Sequence, residues 1–202
     1  MSGKITHLKL KLKPKHFLAK NRFLTASALA LGLMLPSAIT LPTLAGQVLD
    51  GQTFFDSPPE LIRSATSSMS TELPGIYQFT LQVPEDAGAP LGAVKVTQAE
   101  NPDLISFDVE RSTAFRGDSF YGGPAVPLAA IGGPQAPDAE EVTVAFDPPV
   151  QPGETVTVSL PAQRNPDLGG AYLFGVTAYP AGQQSLGQFL GYGRVNIFSG
   201  GG

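Results

Sequence analysis

The chain has 202 residues, with two histidines and neither cysteine nor tryptophan. Both histidines, His7 and His16, precede residue 46. Residues 46–202 therefore lack the side chains for Ser-His-Asp or Cys-His catalysis, for thiol redox chemistry and for the usual zinc, copper or haem sites. These residues hold six basic and all 17 acidic side chains, a net charge of −11. This charge repels nucleic acid and anionic lipid, so we expect neither as a partner.

The first 45 residues have the pattern of a secretory signal peptide. Seven basic residues lie between Lys4 and Arg22, and the apolar run Phe23–Leu35 follows them. Pro36 ends this run, and small residues then lead to Ala45, which we take as the cleavage point. An uncleaved anchor is the alternative, but the apolar run is shorter than the ~20 residues of a spanning helix. We therefore expect export to the periplasm or the medium, with no membrane insertion after cleavage.

The segment that follows Ala45 predicts one edge strand and one short helix. Gly46–Phe55 is a lead-in that favours a first edge strand. Ser57 is suited to cap a helix, and Glu60 stands three residues later, where it completes a capping box. Because Pro58 also fits the first helical turn, this pattern predicts a helix over Pro59–Ser67.

Alternation of apolar and polar residues predicts strands in the remainder of the chain. In Glu141–Leu160 two alternating runs flank the turn residues Pro148–Gly153, which predicts a β-hairpin. Ala171–Tyr179 is almost continuously apolar, which predicts a central strand covered on both faces, with Gly175 at a bulge or a close backbone approach. Further strands are predicted at Ile76–Val83, Gly92–Gln98, Leu104–Val109 and Arg194–Phe198.

These elements predict one all-β domain over residues 46–202. Its expected fold is an antiparallel β-sandwich, immunoglobulin-like, with about seven or eight strands and the short N-terminal helix. Residues 115–137 and 183–193 are predicted loops. Loops that a rigid sandwich presents from one end are common binding elements, so these two segments are the candidate binding loops.

Exposed aromatic side chains in the two loops are the candidate ligand-binding residues. An aromatic ring can stack on a sugar ring or anchor a protein partner. Tyr172 and Tyr179 lie on the predicted buried strand and are expected to belong mostly to the core. The candidates in the loops are Phe115, Phe120, Tyr121, Phe189 and Tyr192.

Calcium is the one metal that the composition favours, because hard cations bind carboxylate oxygens. The candidate ligands are Asp138, Glu140, Glu141 and Asp147. The calcium-loop pattern D-x-[DN]-x-[DN]-G is absent, and an acidic run before an edge strand is equally typical of a solvated surface. A calcium-stabilised structural protein is therefore an alternative rather than the main prediction.

A carboxylate-dependent hydrolase is the other alternative. Such an enzyme needs two carboxyl groups across a cleft. Asp56, Asp118, Asp147 and Asp167 lie at predicted strand ends, but nothing in the sequence pairs them. Aspartate next to proline or glycine is more often a turn former, so we predict no catalytic residue and no enzyme activity.

Several blocks of the sequence resemble a known family. The most specific blocks are Phe-Asp-Pro-Pro-Val at 146–150 and Tyr-Leu-Phe-Gly-Val-Thr-Ala at 172–178, and others begin at Phe55, Val83 and Phe189. The sequence resembles a family of exported cyanobacterial proteins built on a domain of unknown function. This resemblance implies export and one domain, and it brings no activity or site residue with it. The expected function is a non-catalytic envelope or extracellular module that binds a polysaccharide or a protein.

Overall fold

The computed structural model describes residues 48–49, 51–99, 101–132 and 141–199. The predicted signal peptide and two of the candidate calcium ligands, Asp138 and Glu140, lie outside these ranges. Within them, no helix is long and apolar enough to cross a membrane. The described chain is all-β, as the sequence predicts, and its one helical element is a 3₁₀ turn at Val109–Arg111.

The strands form two antiparallel sheets and a separate two-stranded ribbon. The strands are β1 (Val48–Leu49), β2 (Gln52–Thr53), β3 (Glu60–Thr66), β4 (Gly75–Gln82), β5 (Leu91–Gln98), β6 (Thr113–Arg116), β7 (Leu128–Gly132), β8 (Glu141–Val150), β9 (Thr155–Ala162), β10 (Gly170–Pro180) and β11 (Gln188–Ile197). The five-stranded sheet has the order β11-β10-β5-β8-β7, the four-stranded sheet has the order β3-β4-β9-β6, and β1 pairs with β2. The two sheets therefore contain more strands than the seven or eight predicted.

An aromatic cluster fills the space between the two sheets. Tyr77 and Phe79 point inward from β4, Phe174 points inward from β10, and all three are fully buried. The ring of Phe174 lies 5.7 Å from that of Tyr77 and 5.3 Å from that of Phe79, between ring centroids. Phe107 contacts Tyr77 edge to face at 5.4 Å. Because cysteine is absent from the chain, no disulfide assists this packing.

The predicted helix at Pro59–Ser67 is wrong, because Glu60–Thr66 forms strand β3. This strand pairs with β4 along almost its whole length, with Ser64 opposite Phe79 and Ala65 opposite Gln78. A capping box is a local signal, and an isolated helix of this length is marginal in water. The hydrogen bonds to β4 and the contacts across the sheet edge therefore outweigh the local preference.

The predicted hairpin over Glu141–Leu160 is also wrong. Both predicted strands exist, but β8 pairs with β5 and β7, whereas β9 pairs with β4 and β6. The connection therefore crosses from one sheet to the other. Gly153 and Glu154 bind the backbone of Val83 in the crossing turn, through hydrogen bonds of 2.9 Å each. Alternation shows which residues face the core, but it is the same for a hairpin and for two strands that face each other across a sandwich.

Two other predicted segments differ from the structure. Leu104–Val109 makes only an isolated bridge from Phe107 to Ala162 instead of a strand. Its backbone pairs with a side chain, because the Gln98 amide both donates to and accepts from the backbone of Ile105, at 2.8 and 2.9 Å. The segments 115–137 and 183–193 are not continuous loops either, since they contain parts of β6, β7 and β11.

Gly193 lies where the edges of the two sheets meet. It belongs to β11, the edge strand of the five-stranded sheet, and it faces Ser64 of β3, the edge strand of the other sheet. A Cβ on residue 193 would overlap Ser64 Oγ, and it would lie 2.9 Å from Ser64 Cβ and 3.3 Å from Phe79 Cε1. The two edges can come this close because residue 193 has no side chain.

We expect Gly193→Ala to lower the free energy of unfolding by about 1–3 kcal/mol, because the new methyl group must push two strands apart. Urea unfolding followed by circular dichroism would measure the loss. The double variant Ser64→Gly with Gly193→Ala moves the small side chain from one strand to the other, and it should recover most of the loss, since the total volume at the contact is then close to that of the wild type. Wild-type stability in the single variant would contradict the close contact.

Candidate functional site

The five candidate aromatic residues do not lie together. Phe115 is in β6 and is only 7% exposed, so its predicted place in a surface loop is wrong. Phe120 is half-buried, and Tyr121 next to it is 98% exposed. Phe189 and Tyr192 are more than half exposed, but they stand on β11 rather than in a loop. These positions belong to the outer faces of two different sheets, so the expected single binding end is wrong.

Phe189 and Tyr192 form what we call the aromatic patch, on the outer face of the five-stranded sheet. Their rings meet edge to face, with centroids 5.2 Å apart. Both rings lie over Gly175 of β10, where an added Cβ would be 3.2 Å from Phe189 and 3.6 Å from Tyr192. Gly175 therefore allows a close approach, as its sequence position predicts, although the approaching groups are side chains rather than backbone. The patch is thus held on strands and not on a mobile loop.

The outer face of the five-stranded sheet beside the aromatic patch carries polar side chains. Thr177 stands opposite Phe189 in the strand register, and Lys95 of β5 stands opposite Thr177. Lys95 Nζ lies 3.4 Å from a carboxylate oxygen of Glu141. The pKa of Lys95 is raised above its ordinary value, first by the nearby Tyr179 hydroxyl and then by Glu141, because negative charge favours the ammonium form. Tyr179 is half-buried and alternates along β10 with the buried Ala178, so it lies on this outer face and not in the core.

The segment Gly117–Ala125, which we call the Tyr121 loop, folds back over the outer face of the four-stranded sheet. Backbone hydrogen bonds return it to β6, from Arg116 to Pro124 at 2.8 Å and from Val126 to Ala114 at 2.9 Å. This fold covers the Phe115 ring, which explains why that ring is buried. The sequence shows the loop residues but not the sheet face that they cover.

A buried row of polar side chains lies under the Tyr121 loop. Thr80 and Thr157 are fully buried, and their hydroxyl oxygens are 2.9 Å apart. Arg63 Nη2 donates to Thr80 Oγ1 at 3.1 Å, and Thr157 Oγ1 donates to the carbonyl oxygen of Gly117 at 2.8 Å. Because the guanidinium only donates and the carbonyl only accepts, Thr80 must donate to Thr157. The hydrogen bonds of this row therefore all run in one direction, from the guanidinium of Arg63 on β3 to the carbonyl oxygen of Gly117 in the loop.

A second anchor holds the tip of the loop. Gln78 is 6% exposed, and its Nε2 donates to the carbonyl oxygen of Phe120 at 3.1 Å and to Ser159 Oγ at 3.3 Å. The ring of Phe120 contacts that of Tyr121 edge to face, with centroids 5.9 Å apart. Buried polar groups stabilise a fold only where they are hydrogen-bonded. Both the polar row and Gln78 therefore fasten the loop that presents Tyr121.

Of the four candidate calcium ligands, the two in the described part of the chain, Glu141 and Asp147, do not lie together. Glu141 is paired with Lys95, and Asp147 lies six residues further along the same strand, roughly 20 Å away at the usual rise of a β-strand. These two carboxylates cannot share one ion. Among the described residues there is no group of three or more acidic, histidine or cysteine side chains placed to hold a metal.

The structure pairs two carboxylates that the sequence left apart, because the two Asn-Pro-Asp turns at 101–103 and 165–167 come together. Asp103 accepts from the backbone N–H of Leu104 at 2.8 Å and from that of Asp167 at 3.3 Å. Asp167 in turn accepts from Arg164 at 2.8 Å. Both residues line a cleft of about 440 Å³. The carboxylate oxygens of Asp103 and Asp167 thus accept hydrogen bonds that stabilise the two turns, which is a structural role.

Asn165, in the second of these turns, is 1% exposed and joins three parts of the fold. Its Oδ1 accepts from the Tyr77 hydroxyl at 2.7 Å, and its Nδ2 donates to the carbonyl oxygens of Ser68 and Ser70 at 3.0 and 2.8 Å. Burial, more than the nearby Tyr172, raises the pKa of Tyr77. The sequence repeats Asn-Pro-Asp at the two turns, but a repeat of turn residues predicts two turns and not that they come together.

Residues 52–197 match the model of a family described as a protein of unknown function, DUF2808. The chain belongs to the DUF2808 family. This membership confirms the predicted resemblance as far as a domain of unknown function. No sequence among the curated proteins matches this DUF2808 chain.

Several solved structures are similar to parts of the DUF2808 chain. The bacterial hydrophobin BslA has 12% identity and a TM-score of 0.42, over 72% of this chain and all of that one. An uncharacterised protein of Nocardia farcinica with an immunoglobulin-like fold has 14% identity and a TM-score of 0.39, over 67% and 96%. A structure of Gaeumannomyces graminis manganese lipoxygenase with part of Komagataella pastoris zonadhesin has 9% identity and a TM-score of 0.37; the match covers 66% of this chain and about half, 48%, of that one.

We expect Thr157→Val to loosen the Tyr121 loop, because valine keeps the shape but leaves the Gly117 carbonyl and Thr80 without their partner. The free energy of unfolding should fall by about 1–3 kcal/mol, and amide hydrogen exchange should accelerate over residues 117–125. Thr155→Val, on the same strand and face, is the matched control. Unchanged exchange in Thr157→Val would show that the polar row does not hold the loop.

Glu154 should make the stability of the protein depend on pH. The backbone N–H of Gln151, which donates at 2.8 Å, and Arg116 both favour the charged form and lower the pKa of Glu154. A lowered pKa contributes stability above the unfolded value of about 4.3, and this contribution is lost as the pH falls through the folded value.

The test compares urea unfolding of the wild type and Glu154→Gln between about pH 7 and about pH 3. The stability difference should be constant near neutral pH and should shrink below about pH 4. Glu110→Gln, at an exposed glutamate outside this turn, serves as the control. A difference that stays the same over the whole range would refute the role of Glu154.

Proposed function

We propose that this DUF2808 protein is a non-catalytic, exported binding module that recognises a polysaccharide through the aromatic patch. The observation that carries the proposal is the exposure of Phe189 and Tyr192, 56% and 62%, on β11, where both rings rest on Gly175 of the neighbouring strand β10. Exposed rings that are already held in place need little further ordering when a ligand binds, so their contact area contributes to affinity at low entropic cost.

The surroundings of the aromatic patch favour a polysaccharide over other ligands. A sugar has an apolar C–H face, which suits an aromatic ring, and hydroxyl groups at its edge, which need polar partners. Thr177, Lys95 and the Tyr192 hydroxyl supply such partners near the rings. A protein is the second candidate partner, since exposed aromatic residues also anchor protein interfaces.

The side chains available support a binding role rather than catalysis. Residues 46–202 contain no histidine or cysteine, and Asp103 and Asp167 in the cleft are held by backbone N–H groups and Arg164. The hydrolase and the calcium-stabilised protein remain alternatives. They require, respectively, a free carboxylate pair and an ion that raises the melting temperature.

Export is part of the proposal and rests on the sequence. The basic segment, the apolar run and Ala45 support delivery to the periplasm or the medium, and the family resemblance supports a cyanobacterial envelope. We therefore expect the partner to be a component of the cell envelope.

Co-sedimentation of the purified protein with isolated envelope polysaccharide and with peptidoglycan, each in calcium and in chelator, tests the proposal. We expect saturable retention on one fraction, weakened about tenfold by Phe189→Ala and by Tyr192→Ala. Phe198→Ala removes a ring of similar exposure, 60%, from the other end of the sandwich and should leave retention unchanged.

The other outcomes are distinct. Retention that disappears when the envelope fraction is treated with protease would identify a protein partner. Retention on no fraction, or retention that both aromatic variants leave unchanged, would refute binding through the aromatic patch.

A further inference from the structure

Polar side chains continue from the aromatic patch across the outer face of the five-stranded sheet. Phe189 of β11 stands opposite Thr177 of β10 in the strand register. Thr177 stands opposite Lys95 of β5, and Lys95 stands opposite Thr143 of β8. Residues that stand directly opposite each other share a face of the sheet, so these side chains form one row across the strands. We call the row from Thr177 to Thr143 the cross-strand strip.

The cross-strand strip is accessible from solvent. Thr177, Lys95 and Thr143 are each partly exposed. Two small residues, Ala93 and Ala145, stand opposite each other in the neighbouring row of the same face, so no long side chain rises beside the strip there. A ligand that lies flat on the sheet can therefore contact the polar atoms of all three residues.

The spacing of the strands suits a chain of sugar units. Neighbouring strands lie about 4.8 Å apart, so the distance from β11 to β8 is about 14 Å. One unit lengthens an extended polysaccharide by about the same distance as one strand spacing. A chain with one unit on the aromatic patch can therefore place a following unit on each of β10, β5 and β8. Because β11 is an edge strand, a chain that runs the other way leaves this sheet.

The charge of the cross-strand strip selects neutral sugars. Lys95 Nζ lies 3.4 Å from a carboxylate oxygen of Glu141, so the two charges balance. The ammonium donates hydrogen bonds and the carboxylate accepts them, which are the two bonds that a sugar hydroxyl group makes. Residues 46–202 carry a net charge of −11, so a polysaccharide with acidic groups is repelled.

We propose that the cross-strand strip extends the aromatic patch into a site for a linear chain of neutral sugar units, which runs across β10, β5 and β8. One unit stacks on Phe189 and Tyr192, and the following units bind Thr177, Lys95 and Thr143 in turn. The inference rests on the proposed function and deepens it, because it names the ligand as a linear, neutral polysaccharide and gives its direction on the sheet.

Isothermal titration calorimetry of the purified protein with linear oligosaccharides tests this inference. The probes are the neutral oligosaccharides of glucose, of mannose and of N-acetylglucosamine. In at least one series the affinity should rise with each added unit up to about four units, one for each strand from β11 to β8, and should then stay constant. The affinity should be the same at about 0.1 M and about 1 M ionic strength, since a neutral ligand has no charge to screen.

Thr143→Val is the decisive variant, because it removes the hydroxyl group of the strip that is furthest from the aromatic patch, and valine is well tolerated in a strand. It should weaken binding of the tetrasaccharide about fivefold, the loss expected for one hydrogen bond. Binding of the disaccharide should stay unchanged, which also shows that the variant is folded. Thr113→Val makes the same change at an exposed threonine of β6, in the other sheet, and is the matched control.

Three results would overturn the inference. One is an affinity that stops rising at the disaccharide and that Thr143→Val leaves unchanged; if Phe189→Ala still weakens this binding, the aromatic patch stands without the strip. Another is preferential binding of acidic oligosaccharides, such as those of galacturonic acid. The third is no binding in any neutral series. Retention on envelope material that depends on Phe189 would then keep the proposed function and remove only the strip.

Discussion

The packing of Tyr77, Phe79, Phe107 and Phe174 between the sheets is the interaction on which the rest of the structure depends. A chain without disulfides has only its core and its strand ladders to hold two sheets together, and large aromatic side chains bury the most apolar area per residue. The same cluster positions the polar contacts at its edge, because the buried Tyr77 ring directs its hydroxyl to Asn165. Asn165 then fixes the loop at 68–70, so one end of the sandwich takes its shape from the core.

The two outer faces of the sandwich differ in whether their side chains are exposed or covered. On the five-stranded sheet, small and hydroxylated residues leave the surface open, and the rings of Phe189 and Tyr192 stand exposed above Gly175. On the four-stranded sheet, Thr80 and Thr157 are buried beneath the Tyr121 loop, and their burial is tolerable because each hydroxyl has a partner. One outer face is thus open and carries exposed aromatic rings, whereas the other is covered and polar.

Alternation of apolar residues was sufficient to locate β4, β5, β8 and β9, because a half-buried strand imposes a period of two on its own sequence. It failed for β3, where the capping signal of Ser57 and Glu60 predicted a helix. Phe115 was misplaced for a related reason. The Gly- and Pro-rich residues after it suggested a loop, whereas β6 is one short edge strand that a following turn covers. The exposed state of Tyr121 was predictable from that loop, but the buried polar row beneath it was not.

The sequence by itself determined the all-β class, the faces of the strands that point to the core, and the side chains that exclude histidine- or thiol-based chemistry. Those properties follow from residue type and local spacing. Only the tertiary structure decided that β8 and β9 belong to different sheets, that Phe120 and Tyr121 lie on one outer face and Phe189 and Tyr192 on the other, and that the two Asn-Pro-Asp turns meet. The physical reason is that these relations are made by hydrogen bonds and packing between residues far apart in the chain. The same local alternation is compatible with several such pairings.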